Sequence, residues 1–537
     1  MKILLVGVTL NAGVILEEIG ICLIASVLRQ NGYEVKIISS MEKDIDIEEI
    51  ILYNPDIIGL STYNQTMPLV EKVCKLVKER LDSVYTILGG NTATFYAKDI
   101  LEENSFVDYV ILGEGEITFL ELANALSDNT SLDMVNGIAY RKNGLVKFTE
   151  ARDLVQNLDE LPFASRDLIS EYNLRIAMIT GSRGCTHNCY FCSSNSFWRF
   201  NNKFKWRGRS PQNVVDELEY LNKEYNIKQF WFTDPSFEDP GFNESRMREI
   251  AELIIKRNLK ISYIIYVRVS FYKKVSDELM KLLIKSGLCS VFIGTESVNT
   301  HDLKVYGKAA TVEDNIKAID FFRNYNVSVE IGFINFNPYS NFEGLRQNAR
   351  FLYKYKYYTG FYQNTKIMVF KGSRFYDKIK EDNLLLKDTY KELFCYEFLD
   401  KRIQNLSEFL TKFFAKLEKD TYVFEKISLL THLYQSRLAH FKRHFCEDDN
   451  SEISELIVKH ELKLNGMIDE FNDVVGKWYW KILDMAEFNW DEQEAMEYSN
   501  RVFNKEYIND LVSRLTQEKM ILMKRLSKIN REYALFL

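Results

Sequence analysis

Residues 176–192 read IAMITGSRGCTHNCYFC: a short apolar run, Ile176 to Thr180, that empties into a loop carrying Cys185, Cys189 and Cys192 in CxxxCxxC spacing. Three thiolates on one short loop can hold three irons of a 4Fe-4S cluster and leave the fourth iron open. That open iron is the chemical point. A ligand with an amine and a carboxylate can chelate it beside the cluster, whereas a fourth cysteine would close the site. Arg183 and Gly184, just before the loop, add positive charge and a tight turn. The competing use of three cysteines is a zinc site closed by a histidine. His187 lies between Cys185 and Cys189, poorly placed to complete a tetrahedron, and His440 and His444 lie far downstream.

Outward from this loop the chain alternates strand and helix patterns. Strands are expected at Ile176 to Thr180, Gln229 to Thr233, Ser262 to Val267, Ser290 to Ile293, Ser328 to Ile334 and Thr365 to Val369. Helices are expected at Pro211 to Tyr225, Arg246 to Arg257, Asp277 to Lys285, Val312 to Tyr325 and Phe342 to Lys354. Six βα units in a row predict a partial (β/α)6 barrel over residues 173–379, with its active site at the C-terminal rim.

Upstream, residues 1–130 show a second alternating series, with strands at Ile3 to Val8, Glu34 to Ile38, Ile57 to Ser61, Tyr85 to Leu88 and Tyr109 to Leu112. Such alternation predicts a parallel, doubly wound, Rossmann-like sheet that binds ligands at the C-terminal ends of its strands. Those ends carry Ser61 and Thr62 before Asn64 and Gln65, then Gly89, Gly90 and Thr92, then Gly113, Glu114, Gly115 and Glu116. Glycine lets a backbone approach a ligand closely, although ordinary βα turns use the same residue types. Residues 131–172 read as a hairpin turning at Asn143-Gly144, followed by an extended linker through Leu161-Pro162.

All seven prolines precede residue 340, and from about Lys380 apolar residues recur at helical spacing, which predicts an all-α C-terminal domain over 380–537. Its aromatic stripes, Phe409, Phe413 and Phe414 with Trp478, Tyr479 and Trp480, read as core. The fold class is therefore α/β in its first two domains with a helical third.

A net charge of −7 gives no electrostatic reason to expect a nucleic-acid surface. No uninterrupted apolar run is long enough to span a bilayer, and the opening MKILLVGV reads as a first strand rather than a secretory signal, so a cytoplasmic location is expected. Cys22, Cys74, Cys289, Cys395 and Cys446 are scattered and read as buried, small apolar residues.

With its cysteine triad and strand series, the chain resembles the radical S-adenosyl-L-methionine (SAM) superfamily. The resemblance implies that a reduced cluster cleaves SAM to methionine and a 5′-deoxyadenosyl radical, which abstracts hydrogen from an unactivated C–H bond. It implies an electron donor such as flavodoxin or ferredoxin. It places the backbone of Phe191 near adenine, Asp234 and Arg268 near the methionine moiety, and Glu296 near the ribose. A polar residue at a strand end is equally often a cap.

The order of a doubly wound domain, a linker with Leu158-Asp-Glu-Leu-Pro162 and the cysteine barrel is similar to the cobalamin-dependent (B12-binding) radical SAM class. Pro55 to Ser61, Gly89-Gly90 and Val110 to Glu116 carry that likeness. Residues 1–150 contain no histidine, so cobalamin bound there would lack an imidazole ligand from this domain. What the resemblance implies is methylation of an unactivated carbon, or of phosphorus, in a natural product or peptide. The alternatives are a non-methylating rearrangement, cyclisation or oxidation with the same cofactors, and a cofactor-binding regulatory protein.

Overall fold

The computed structural model describes residues 1–9, 17–41, 45–81, 83–200, 206–358, 361–421, 427, 434–435, 438, 441–442, 451–530 and 533. His440, His444 and Cys446 lie outside the described residues. The chain divides into two compact units. The first holds Met1–Ile261, Met368–Lys378 and Lys387–Cys395, and the second holds Ser262–Ile367, Ile379–Leu386 and Tyr396–Leu537.

The first unit is built on a sheet whose strands are β1 (Lys2–Thr9), β2 (Glu34–Met41), β3 (Ile57–Ser61), β4 (Tyr85–Gly89), β5 (Tyr109–Ile111), β6 (Ile138–Lys142) and β7 (Leu145–Phe148), in the order 2-1-3-4-5-6-7. β1 to β5 are parallel, with Ile3 opposite both Val35 and Ile57. Strand residues alternate between two faces, and both are apolar because helices cover both. Leu4, Val6, Ile58, Leu60 and Leu88 pack under α3 (Met67–Arg80) and α4 (Asn91–Glu103). Ile3, Leu5, Ile57, Ile87 and Ile111 pack under α1 (Ile19–Gln30) and α5 (Glu116–Ser127). Cys22 and Cys74 are buried in these two layers, as expected.

The hairpin turns where expected, Asn143 and Gly144 both having positive φ. It does more than connect: β6 pairs antiparallel with β5 and extends the sheet. The sheet order reverses between β1 and β3, and this is the point where a doubly wound sheet opens a ligand crevice.

Five of the six strands expected after residue 173 form. In the first unit β8 (Ile176–Ile179) pairs in parallel with β11 (Gln229–Phe232), flanked by α8 (Pro211–Glu224) and α9 (Ser245–Lys256). Between them, β9 (Ser182–Arg183) pairs with β10 (Arg207–Gly208), and α7 (Ser193–Trp198) follows the cysteines. In the second unit β12 (Ser262–Val267), β13 (Leu288–Glu296) and β14 (Ser328–Phe333) pair in parallel.

The sixth expected strand, Thr365 to Val369, is corrected to a single bridge between Phe336 and Lys366. The chain turns away because Val369 N donates instead to Leu393 O at 3.0 Å. In the second unit helices Lys401–Thr421, Ser451–Phe488, Glu492–Val502 and Lys505–Ile529 bury Phe409, Phe413, Phe414, Trp478 and Tyr479, the aromatic core expected. Trp480 is half-buried beneath Arg346 and Arg350. Asn335, just past β14, donates to Tyr479 Oη at 2.7 Å, which seats the long helix at the C-terminal end of that strand.

Candidate active site

Within the first unit, the switch point of the sheet opens into a cavity of about 370 Å³. Its floor and one wall come from Leu5, Gly59, Ser61, Gly89 and Gly90, and from the loop Gly113 to Glu116. Its opposite wall comes from the surroundings of the cysteine loop: Thr180, Ser182, Arg183, Ser194, Phe197 and Trp198. Strand-end loops of one series and the approach to the cysteines of the other therefore share one chamber. No histidine is among its described lining residues.

Two glycines show why this wall needs them. A side chain on Gly59 would strike Phe119 and Leu5 at 2.7 and 2.8 Å, and Gly90 has φ +101° with Thr62 O 3.1 Å from where a Cβ would stand. Of the residues expected to face a ligand here, Ser61, Gly89, Gly90, Gly113, Gly115 and Glu116 line the chamber. Thr62 and Thr92 are buried and bind protein instead. Thr62 Oγ1 donates to Gly89 O at 2.9 Å and accepts from Ala93 N at 3.0 Å, and Thr92 Oγ1 donates to Asn64 Oδ1 at 2.9 Å. Both staple the loops that form the chamber. Gln65 is half-buried on a turn of 3-10 helix, Asn64–Thr66.

Sequence reading missed the charges that join the two walls. Arg183, two residues before Cys185, donates to Glu114 Oε1 at 2.7 Å and to Glu116 Oε1. Arg207, its partner across the β9–β10 ladder, donates to both oxygens of Glu114 at 2.9 and 3.0 Å, and Val155 N donates to Oε2 at 2.8 Å. All four charged side chains are buried, two of each sign, and the Trp198 ring lies beside both guanidinium groups. Burial pushes the Glu114 carboxyl up, but Arg183 and Arg207 outweigh it and hold it below the usual range.

A second buried set ties the linker to the same region. Arg166 donates to Glu17 Oε2 and Glu217 Oε1, both at 2.7 Å, and to Met178 O at 3.0 Å. No local signal marks these arginines, because Arg166, Arg183, Arg207 and Arg209 stand among Arg175, Arg199, Lys203 and Lys205.

The cysteine loop leaves β9 through Gly184, whose φ of +92° makes the turn into Cys185. Burial, first among the causes, pushes the Cys192 thiol up to about 11. Backbone N–H groups of Asn195 and Ser194 oppose this, while charge on Cys189 and Cys185 adds to it. The three thiols share one loop, and as a donor set they suit a cluster with one open iron. Asp234 is wholly buried and accepts from Gly181 N at 2.8 Å and Ser182 Oγ at 2.5 Å. Its carboxylate therefore holds the root of the loop and does not stand open to a ligand. Phe191 is half-buried between Tyr190 and Cys192.

In the second unit Glu296 ends β13 with φ +64°, a left-handed conformation unusual for a glutamate, at a shift in the β13–β14 register. Asn315 Nδ2 donates to Thr295 O at 2.9 Å and Ser297 O at 2.8 Å and so pins both neighbouring peptides. Lys308 Nζ lies 3.6 Å from Glu296 Oε1. Arg268 follows β12 and precedes the 3-10 turn Val269–Lys273, half-buried.

A glycine-walled chamber at a switch point, closed on its far side by the root of a three-cysteine loop, defines a two-cofactor enzyme. Comparison with known proteins agrees. Residues 5–123 match the B12 binding domain and residues 179–352 the radical SAM superfamily. An uncharacterized methyltransferase of Pyrococcus horikoshii is 30% identical over 439 residues, which is 79% of this chain and 92% of that one. An anaerobic magnesium-protoporphyrin IX monomethyl ester cyclase of Rubrivivax gelatinosus is 30% identical over 58% of this chain and 57% of its own length. The solved structure of the cobalamin-dependent SAM radical enzyme OxsB, with aqua-cobalamin and SAM bound, superposes with a TM-score of 0.70 at 20% identity, over 99% of this chain and 81% of that one.

The chain belongs to the B12-binding radical SAM family. It is an enzyme whose cofactors are a 4Fe-4S cluster, SAM and cobalamin. Among the described residues, no helix is long and apolar enough to cross a membrane.

Proposed function

We propose that this enzyme transfers a methyl group to an unactivated carbon of a small-molecule or peptide substrate. One observation carries the reading: the strand-end loops of the first sheet and the root of the cysteine loop line the same chamber. When bound, cobalamin supplies a transferable methyl group, and the cluster with SAM supplies a radical able to remove hydrogen from carbon.

The protein's own contribution is position and exclusion of water. Cys185, Cys189 and Cys192 would hold the cluster, and the family resemblance assigns the Phe191 backbone to the adenine, Arg268 to the methionine carboxylate and Glu296 to the ribose. Asp234 would act at one remove by fixing Gly181 and Ser182. Ser61, Gly89, Gly90, Gly113 and Gly115 cradle the corrin. Thr62, Gln65 and Thr92 shape that cradle, and Glu116 ties it to Arg183. Residues 1–150 contain no histidine, so a cobalamin held there would receive no imidazole from this part of the chain. An electron donor such as flavodoxin or ferredoxin and a cytoplasmic location complete the reading, since the loop needs reduced thiols.

The cyclase relative favours one alternative, a radical rearrangement or cyclisation without methyl transfer. Anaerobic turnover of the enzyme with cluster, SAM, reductant and cobalamin separates the two. Methyl transfer requires 5′-deoxyadenosine and S-adenosylhomocysteine together. Formation of 5′-deoxyadenosine alone would support the alternative, and failure of the protein to take up cobalamin would overturn both.

A further inference from the structure

The segment Met368–Lys378 lies beyond the residues that match the radical SAM superfamily, yet it belongs to the first unit. One end is anchored on α4. Lys371 Nζ lies 3.0 Å from Asp99 Oδ2 and 4.3 Å above the Tyr96 ring, and Gly372 packs against the Phe95 ring. Gly372 has φ +85°, and any Cβ there would collide with that ring, so the position admits no side chain. Residues 387–395 brace the same helix: Tyr390 Oη lies 2.8 Å from Glu103 Oε2 and accepts from Asn104 Nδ2 at 2.9 Å.

The other end grips the cysteine loop. Phe375 N donates to Tyr190 O at 2.9 Å. This N–H lies in the first turn of the helix Arg374–Glu381, where backbone donors have no partner within the helix, so the loop carbonyl satisfies it. The Arg374 guanidinium faces the Asn188 side-chain amide: with that amide turned, both terminal nitrogens donate to its oxygen at 2.9 Å, and the amide's other end lies 2.9 Å from Asn195 Nδ2; the guanidinium also lies 5.6 Å from the Tyr190 ring centre. Asn188 and Tyr190 are the residues on either side of Cys189.

We propose that Met368–Lys378 is a strap that positions the cluster loop, and that Arg374 is its positioning residue, acting through Asn188 and Tyr190. The loop Cys185 to Cys192 contains no helix or strand of its own, so its shape must be imposed from outside. α4 starts at Asn91, directly after the Gly89-Gly90 wall of the chamber. The strap therefore ties the middle cysteine to the helix that carries the cobalamin-side wall. This role is independent of whether the reaction is methyl transfer or rearrangement, so its failure and that of the proposed reaction are distinguishable.

The test is hydrogen exchange across residues 185–198 in the full-length chain before iron is added, with the rate of cluster bleaching in air after reconstitution as a second readout. Arg374→Ala and Asn188→Ala break the same charge-assisted contact from its two sides. Each should speed both rates by about tenfold. The double variant should be no faster than the faster single, because the two residues act as one unit. Melting of the unloaded chain and uptake of cobalamin should stay at parent values, which a general loss of structure would not allow. Arg374→Lys, which keeps one donor, should fall between. Parent rates in both single variants would overturn the proposal, as would effects that add in the double variant.

Discussion

The cobalamin-side loops, which line the chamber, and the cysteine loop, whose root lines it, are both short and lack regular structure, yet they are held in different ways. The loops after β3 and β4 are held by their own neighbours, while the Gly113–Glu116 loop shares the buried charges of Arg183 and Arg207. Thr62 and Thr92 reach at most a few loops away, and glycines take the conformations the turns need. The cysteine loop is held from a distance, by Glu114 through Arg183, by Asp234 at its root and by Arg374 at its middle. A loop that must stay shaped while its ligands are still thiols needs such outside support. A loop that cradles a large organic cofactor can rely on local turn chemistry.

Replacing Cys185, Cys189 and Cys192 together with alanine gives the largest expected effect, complete loss of cluster iron and of its visible absorbance. The glycine-walled chamber should survive, and cobalamin uptake by this variant should remain. If cobalamin binding vanished with the cysteines, the two sides would not be separately held.

Next in size is Glu114→Ala, which removes the buried carboxylate that Arg183 and Arg207 share. The expected loss is about 3–5 kcal/mol of unfolding free energy, read from urea denaturation of the unloaded chain. Thr62→Val strands Ala93 N in the cobalamin-side wall and removes the second of two donors to Gly89 O, and it should cost about 2 kcal/mol in the same assay. A ranking with Thr62→Val more damaging than Glu114→Ala would reverse the contrast between the two loops.

The smallest effect is graded with pH. Iron binds the thiolate, so each cysteine must lose its proton as the cluster assembles. Burial pushes the Cys192 thiol up to about 11, so below that pH its thiolate fraction rises about tenfold per unit. The rate of cluster assembly should climb accordingly from about pH 7 to about pH 9. A flat profile would mean that this thiol does not limit assembly.

What could be read in the sequence follows the same division. The triad, the glycines at strand ends and the Asn143-Gly144 turn are local signals, and the structure places them at a loop, a chamber wall and a hairpin. The run Thr365 to Val369 has strand composition too, but composition cannot tell that Val369 pairs with Leu393. Arg183, Glu114 and Arg374 look like surface charges in a linear reading, because their meaning comes from partners tens to hundreds of residues away. Asp234 was legible as a strand-end carboxylate. That both of its oxygens would turn back onto Gly181 and Ser182 was not.

The central claim is that the strand-end loops and the root of the cysteine loop, which share one chamber, bring the two cofactors close together. Electron paramagnetic resonance of the enzyme carrying both paramagnetic cobalamin and a reduced cluster tests this most directly. The account predicts signals split or broadened by mutual coupling, absent from samples that carry either centre alone. A spectrum equal to the simple sum of the two would contradict it.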